Sequence, residues 1–166
     1  ASMAARHGSS LAPITHGEQI AYADPTIVRA GSKYYLTGTA NNTPQGFDVL
    51  ESKDLKNWTP AGHLLTEGKQ VYGDKGFWAP QLYNNGKTWQ LAYTANEQVA
   101  VAEAPSLIGP YTQKSVKPVD ASAKNIDPFV FTDDDGKSYL YHVRFDNGNY
   151  IWVAAYDKNT GSIDHN

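Results

Sequence analysis

The chain has 166 residues, a length that suits one domain with a substantial hydrophobic core. Its formal net charge is −3 and it has no basic run, which disfavours nucleic acid and anionic membranes as partners. No apolar stretch reaches membrane-spanning length, and the absence of cysteine excludes disulfides and thiolate metal sites. The 11 tyrosines, four tryptophans, 14 glycines and nine prolines are typical of a turn-rich β protein.

The N-terminal segment, residues 1–10, lacks the apolar core of a signal peptide. We interpret it as a cloning remnant or a disordered, ragged mature end. No long segment of the chain combines 3.6-residue periodicity with capping residues, so helices are not expected.

Three segments of the chain repeat one pattern: an X-Pro pair, an apolar strand, a turn with glycine and lysine, and an aromatic-rich strand. The prolines of the three copies, Pro25, Pro80 and Pro128, are separated by 55 and then 48 residues. Several strands in a repeat of this length indicate the blades of a β-propeller. A chance likeness among unrelated hairpins is the alternative.

The predicted blades occupy residues 23–59, 77–112 and 127–163 of a partial β-propeller domain, residues 11–166. A propeller ring typically needs four to eight blades, so either a longer protein or a partner must supply the rest. Three tryptophans within or at the ends of blade strands are expected in the core: Trp58, Trp89 and Trp152.

The third copy of the repeat places a carboxylate at the start of a strand. Pro128 lacks a backbone N–H and suits the first residue of a strand, and we expect it to hold Asp127 in an extended conformation. The acidic run 133–136 is predicted to be a hairpin turn. A calcium-binding EF-hand loop would need oxygen ligands at its fifth and twelfth positions, where the chain has Lys137 and Arg144.

With these motifs, the chain resembles the N-terminal portion of glycoside hydrolase family 43. The resemblance extends from residue 22 to residue 163, and it includes the blade endings 52–58 and 107–111. Family members are five-bladed β-propeller enzymes that trim arabinose- and xylose-containing polysaccharides. The resemblance therefore implies an all-β fold of the five-bladed propeller type, with about three blades in this chain. The motifs that carry it are Asp24-Pro25, Phe77-Trp78-Ala79-Pro80 and Ile126-Asp127-Pro128.

The resemblance also implies roles for individual residues. Asp24 matches the general base of the family, and Asp127 matches the residue that orients the acid and tunes its pKa. Trp78 matches an aromatic residue that lines the sugar pocket. The general acid of the family is a glutamate at the start of blade four, and it is expected outside this chain because the last glutamate, Glu103, lies in blade two. Gln81 stands where many members carry an acidic residue.

Glycosidic chemistry explains why such carboxylates are needed. An inverting enzyme protonates the leaving oxygen while a base activates water on the other face, with the two groups roughly 6.5–9.5 Å apart. The first strands of propeller blades converge on the axis, so Asp24 and Asp127 can face each other there. Asp127 would keep a neighbouring acid protonated by like-charge repulsion. The alternative is that each Asp-Pro pair merely begins a turn.

Three further residues are candidates for substrate binding. Trp78 could stack on the apolar face of a sugar ring. Phe77 is the second candidate, although core packing explains it better, and Arg144 is the third. The histidines show no metal-binding spacing, so neither a metal nor another cofactor is predicted, and a structural calcium on the propeller axis would draw its ligands from outside this chain.

The sequence thus predicts an inverting α-L-arabinofuranosidase or β-xylosidase acting on plant polysaccharides or oligosaccharides, with the isolated chain inactive or nearly so. One alternative is a carbohydrate-binding propeller without catalysis. Another is half of a split or oligomeric propeller that a second polypeptide or another copy completes. Polymeric plant substrates suggest a secreted or periplasmic protein, and the sequence does not separate arabinose from xylose.

Overall fold

The computed structural model describes residues 20–164, and the regular structure in that range consists of β-strands alone. Helices are absent from the described residues, and therefore so is any helix that could cross a membrane. The prediction of an all-β chain is confirmed. The strands are β1 (Ala23–Ala30), β2 (Lys33–Thr39), β3 (Gly46–Ser52), β4 (Thr59–Thr66), β5 (Trp78–Asn84), β6 (Trp89–Ala95), β7 (Gln98–Ala104), β8 (Asn125–Thr132), β9 (Ser138–Phe145), β10 (Asn149–Asp157) and β11 (Ser162–Ile163).

The strands form three antiparallel sheets in which sequence neighbours pair. The first sheet has the order β1-β2-β3-β4, the second β5-β6-β7 and the third β8-β9-β10-β11. Each sheet is a meander that begins with one of the repeated X-Pro segments, as expected for propeller blades. The first strands of the sheets lie side by side, because β5 packs against both β1 and β8.

The turn between β8 and β9 forms as the sequence predicts. The Asp133 amide donates to the Lys137 carbonyl oxygen at 2.8 Å. Gly136 has a φ of +83°, a left-handed conformation that glycine adopts without steric cost. The acidic run 133–136 is therefore a hairpin turn.

The first and second sheets share an aromatic core. The rings of Phe77 and Tyr93 stack with their centroids 5.9 Å apart, and Phe47 meets both edge-on. All three side chains are buried. Aromatic contacts of this kind contribute about 0.5–1.5 kcal/mol beyond the burial of their area. This core holds the first and second sheets in fixed relation.

The second and third sheets join through an apolar cluster that includes Val99, Val130 and Leu140. A buried polar group lies beside it, in which the hydroxyls of Tyr83 and Tyr156 bond to each other and to the Gln90 side chain. Burial is the main reason that the pKa of each of these tyrosines is raised far above its usual value, so both stay protonated.

The prediction that all three tryptophans lie in the core is only partly confirmed. Trp58 is buried beside Leu50, and Trp89 packs half-buried against the main core. Trp152, however, is 40% exposed, so the prediction is wrong for this residue. Its ring lies under the Arg144 guanidinium, 4.9 Å from the centroid, so a cation–π contact replaces core packing.

The face of the third sheet that points away from the second sheet is apolar and exposed. Val130 and Leu140 point toward the second sheet, so the alternate residues of β8 and β9 point away from it. Ile151 on β10 is 78% exposed on this outer face. We call this surface the outer apolar face; its members are Phe129, Phe131, Tyr141, Ile151 and Val153.

Candidate active site

Each sheet begins with the same local distortion of its first strand. Asp24, Ala79 and Asp127 have φ values of +48°, +48° and +58°. Such left-handed conformations are uncommon outside glycine and cost of order 1–3 kcal/mol. Strain of this kind concentrates at functional sites, so its recurrence at three strand starts marks one end of the fold as a candidate site.

The expected extended conformation of Asp127 is therefore wrong. The preference of a residue before proline for extended backbone is overcome by a β-bulge, in which the register between β8 and β9 shifts from Ile126 to Phe129. The same shift occurs at the starts of β1 and β5. A bulge redirects a side chain, and here it turns the residue before each proline out of the ladder.

The structure brings Asp24 and Asp127 into electrostatic contact. Desolvation is the main cause of a raised pKa at Asp127, and the negative charge of Asp24 raises it further. Both carboxyl groups remain accessible to solvent. Ala79 occupies the corresponding position on β5, which lies between β1 and β8. The three strand starts thus form a row with carboxylates at its two ends.

Two buried threonines support this row, and the sequence analysis missed both. The Thr39 hydroxyl donates to Asp24 Oδ2 at 2.6 Å and accepts from the Ala79 amide at 2.8 Å. The Thr94 hydroxyl accepts from the Asp127 amide at 3.0 Å. Each threonine lies on the second strand of its sheet, opposite the bulge. Aligning the second strands of the repeats would have revealed this shared position.

Trp78 and Phe77 occupy opposite environments. Trp78, the first residue of β5, is 38% exposed, and its indole lies against the backbone of Gly76. Phe77 is only 3% exposed and packs in the core between the first two sheets. The structure therefore corrects the interpretation of Phe77 as a substrate-binding residue, because its ring has no access to a ligand at the surface. Trp78 keeps an accessible ring beside the row of strand starts.

Arg144 is engaged by the protein itself. Its guanidinium forms an ion pair with Asp120, donates to Ser122 Oγ at 3.1 Å and covers the ring of Trp152. These contacts engage both terminal nitrogens of the guanidinium within the protein, whereas its buried Nε has no hydrogen-bond partner among the described residues. On the same strand, the pKa of His142 is lowered by burial and by the charge of Arg144, while Asp120 acts in the opposite direction.

Gln81 joins the second sheet to the third. Its Oε1 accepts from the Val130 amide at 2.6 Å, and its Nε2 donates to the Val130 carbonyl oxygen at 3.1 Å. β8 is an edge strand of its sheet, so its outer backbone groups have no strand partner. The glutamine supplies both missing hydrogen bonds, which a carboxylate at this position could not do.

Glu103, the last glutamate of the chain, does not join the two aspartates at the strand starts. Glu103 lies on β7 and accepts from Gln90 Nε2 at 2.9 Å, away from the strand starts. Within residues 20–164, no three carboxylate or imidazole side chains gather in a group that could hold a metal ion.

Comparison with known proteins identifies the family. The sequence model of the glycosyl hydrolases family 43 matches residues 13–166. The chain is 31% identical to a xylan 1,3-β-xylosidase of Vibrio sp over 135 residues, which is 72% of this chain and 24% of that protein. It is 30% identical to the extracellular endo-α-(1→5)-L-arabinanase 1 of Bacillus subtilis over 154 residues, which is 82% of this chain and 47% of that protein.

Solved structures match the fold as well. The crystal structure of an endo-1,4-β-xylanase from Bacteroides thetaiotaomicron is 42% identical, with a TM-score of 0.80 over 86% of this chain and 50% of that chain. The chain thus spans about half or less of the length of these relatives. Its three sheets make up part of a five-bladed propeller, which confirms the predicted fold class. The chain belongs to glycoside hydrolase family 43.

Proposed function

We propose that this chain supplies the base side of the active site of an inverting glycosidase. The observation that carries the proposal is the coupling of Asp24 to Asp127, two accessible carboxyl groups at equivalent bulged strand starts. Hydrolysis with inversion needs separated carboxyl groups around the scissile bond, and strand starts on neighbouring blades are suited to provide them.

Asp24 is assigned the role of general base. Thr39 binds its Oδ2, so Oδ1 is the oxygen that would take the proton of the attacking water. As water loses this proton, its oxygen bonds to the anomeric carbon and the glycosidic bond breaks. A protonated carboxyl group on the other side gives its proton to the leaving oxygen. That acid is proposed to lie outside this chain, in a part of the propeller that the chain does not span.

Asp127 is assigned a positioning and tuning role. Desolvation and the charge of Asp24 both raise its pKa, and a carboxylate at this place would in turn disfavour ionisation of a neighbouring acid. Its bulged backbone, bonded through its amide to Thr94, fixes where its carboxyl group stands. This arrangement supports the role of keeping the neighbouring general acid protonated until it acts.

The proposed substrate carries terminal arabinofuranosyl or xylosyl units. Trp78 supports sugar binding, since its exposed indole adjoins the strand starts and can stack on the C–H face of a sugar ring. The names of the relatives, a xylosidase, an arabinanase and a xylanase, support pentose-containing polysaccharides. Such polymers, together with the extracellular arabinanase among the relatives, support a secreted or periplasmic site of action.

The outer apolar face of the third sheet supports a completed ring. The corresponding faces between the first and second, and between the second and third, sheets are filled with apolar side chains. We therefore propose that a further blade covers the outer apolar face. A longer chain, a second polypeptide or another copy could provide that blade, and intact mass with light scattering of the protein from its natural source distinguishes these three origins.

The decisive experiment measures hydrolysis and sugar binding in the protein as its natural source produces it, and in the same protein with the substitution Asp24→Asn. Turnover of nitrophenyl α-L-arabinofuranoside or β-D-xyloside should disappear in the variant, while calorimetric binding of a pentose oligosaccharide persists. The 166-residue chain alone should show no turnover. Hydrolysis by the chain alone, lost on Asp24→Asn, would refute the assignment of the acid to a position outside it. Sugar binding without turnover in the natural protein would favour a carbohydrate-binding propeller.

A further inference from the structure

We infer that Thr39 is a positioning residue that orients the Asp24 carboxylate and connects it to the backbone of the neighbouring sheet. The inference rests on the proposed role of Asp24 as general base. It follows from the two hydrogen bonds of one buried hydroxyl, which joins the bulge of β1 to the bulge of β5.

The directions of these two bonds are fixed by chemistry. The Ala79 amide can only donate, so the Thr39 oxygen accepts from it at 2.8 Å. The single hydroxyl hydrogen is then left for Asp24 Oδ2, which lies 2.6 Å away. An ionised carboxylate can only accept, and the hydroxyl therefore offers it a hydrogen whose direction is set by the neighbouring sheet.

The position of Thr39 explains why it can hold an exposed carboxylate still. Thr39 is 9% exposed and pairs with Ala23 at the start of the bulge. Its side chain is β-branched, so packing restricts it to few rotamers. Asp24 itself is exposed and has a left-handed backbone. The buried threonine thus restrains a carboxylate that would otherwise rotate about its own side-chain bonds.

The second sheet provides an internal comparison. Thr94 stands opposite the β5 bulge as Thr39 stands opposite the β1 bulge, and its hydroxyl also accepts from an amide of the next sheet, that of Asp127. The residue of the second sheet that corresponds to Asp24 is Ala79, which has no carboxylate to receive a hydrogen. The accepting bond is therefore a repeated element of the fold. The bond that Thr39 donates is particular to the sheet that carries the base.

Orientation matters for the proposed reaction because the base must remove a proton along one line of approach. Misplacement of a reacting group by about 1 Å can lower a rate about 100-fold. Loss of the Thr39 hydroxyl should accordingly lower kcat about 10–100-fold, with KM changed by less than about threefold.

The first test follows the Ala79 amide by NMR while pH is varied. In the wild-type chain its ¹H and ¹⁵N shifts should change in step with the carboxyl ¹³C signal of Asp24, because Thr39 links the two groups. Thr39→Ser keeps the hydroxyl and should keep this behaviour, whereas Thr39→Val should lose it. Asp24→Asn, a change at an exposed side chain, should abolish the response as well, and this arm does not depend on whether Thr39→Val folds.

Thr37→Val is the matched control. Thr37 lies on the same strand, is fully buried and donates its hydroxyl to the Asp48 carbonyl oxygen at 2.6 Å, a bond that does not involve Asp24. Thr37→Val removes one buried hydroxyl, as Thr39→Val does, and it should leave the pH response of the Ala79 amide shifts intact. Comparison of the two valine variants separates general loss of stability from loss of the specific link.

The second test measures turnover in the protein as its natural source produces it, with each substitution introduced into that protein. Thr39→Val should lower kcat about 10–100-fold and Thr39→Ser should restore it to within about threefold, while Thr37→Val retains it. An Ala79 response that persists in Thr39→Val or in Asp24→Asn would overturn the inference. Turnover that survives Asp24→Asn would instead refute the proposed function, whatever the Ala79 amide shows.

Discussion

Replacement of Gln81 by leucine should loosen the junction between the second and third sheets. The change removes both partners of the Val130 backbone, at 2.6 and 3.1 Å. Each buried backbone group left unsatisfied costs about 1–3 kcal/mol, and Val130 is 7% exposed. Two such groups at the middle of that range cost about 4 kcal/mol, and about 1–2 kcal/mol is regained from the apolar area that leucine buries, so the net loss is about 2–3 kcal/mol. At about 2–4 °C per kcal/mol, 3 kcal/mol corresponds to a fall in Tm of roughly 6–12 °C.

Urea denaturation of the chain, with Gln81→Glu as a matched variant, measures this effect. The glutamate keeps the acceptor for the Val130 amide, but its ionised form cannot donate to the Val130 carbonyl oxygen. The protonated form can donate, so folding raises the pKa of this new carboxyl group. Its stabilising contribution is then present at low pH and lost as pH rises through the folded-state pKa. A Gln81→Leu variant within 0.5 kcal/mol of the wild type would refute the reasoning.

The remaining predictions concern the core, the buried ion pair and the outer apolar face. Phe77→Ala should lower the free energy of unfolding by about 3–5 kcal/mol in urea denaturation. Trp78→Ala should lower it far less, but it should weaken the binding of pentose oligosaccharides measured by calorimetry. Equal losses of stability in the two variants would contradict the different burial of the two side chains. Arg144→Met should destabilise by about 3 kcal/mol, since it removes the ion partner of the buried Asp120, and a neutral change would be inconsistent with that pair. The outer apolar face is uncovered in the isolated chain, so this chain should self-associate, and Ile151→Lys should reduce that self-association in sedimentation experiments without loss of stability; unchanged self-association would place the contact elsewhere.

The features that the sequence predicts well are those with a local cause. Proline lacks a backbone N–H, and glycine accepts left-handed backbone, so X-Pro pairs and glycine-containing turns mark the same strand boundaries in every repeat. The hairpin turn 133–136 and the placement of Asp24 and Asp127 at strand starts follow from such local rules. The burial of Phe77 and the exposure of Trp78 are harder to predict from the sequence. Neighbouring residues on a strand point to opposite faces, and the sequence does not say which face is covered.

The features that it does not predict depend on contacts between sheets. The left-handed backbone of Asp127 opposes the local preference before proline, and it exists because the β8 strand is bulged. Thr39 acquires a role only when the β5 strand lies beside β1. The ion pair of Arg144 is likewise not predictable, because its partner, Asp120, lies in a segment without regular structure. Tertiary neighbours of this kind leave no signal in a single sequence.

The most direct test of the central claim is the carboxyl ¹³C titration of Asp127 in the wild-type chain and in Asp24→Asn. We expect a raised pKa of Asp127 in the wild type and a lower, still raised, pKa in the variant, because the charge of Asp24 is removed while desolvation remains. A folded-state pKa above the unfolded value favours folding at low pH and opposes it as pH rises, so the variant should also lose less stability between acid and neutral pH. An Asp127 titration that is identical in both proteins would contradict the pairing of the two carboxylates, and with it the proposed active site.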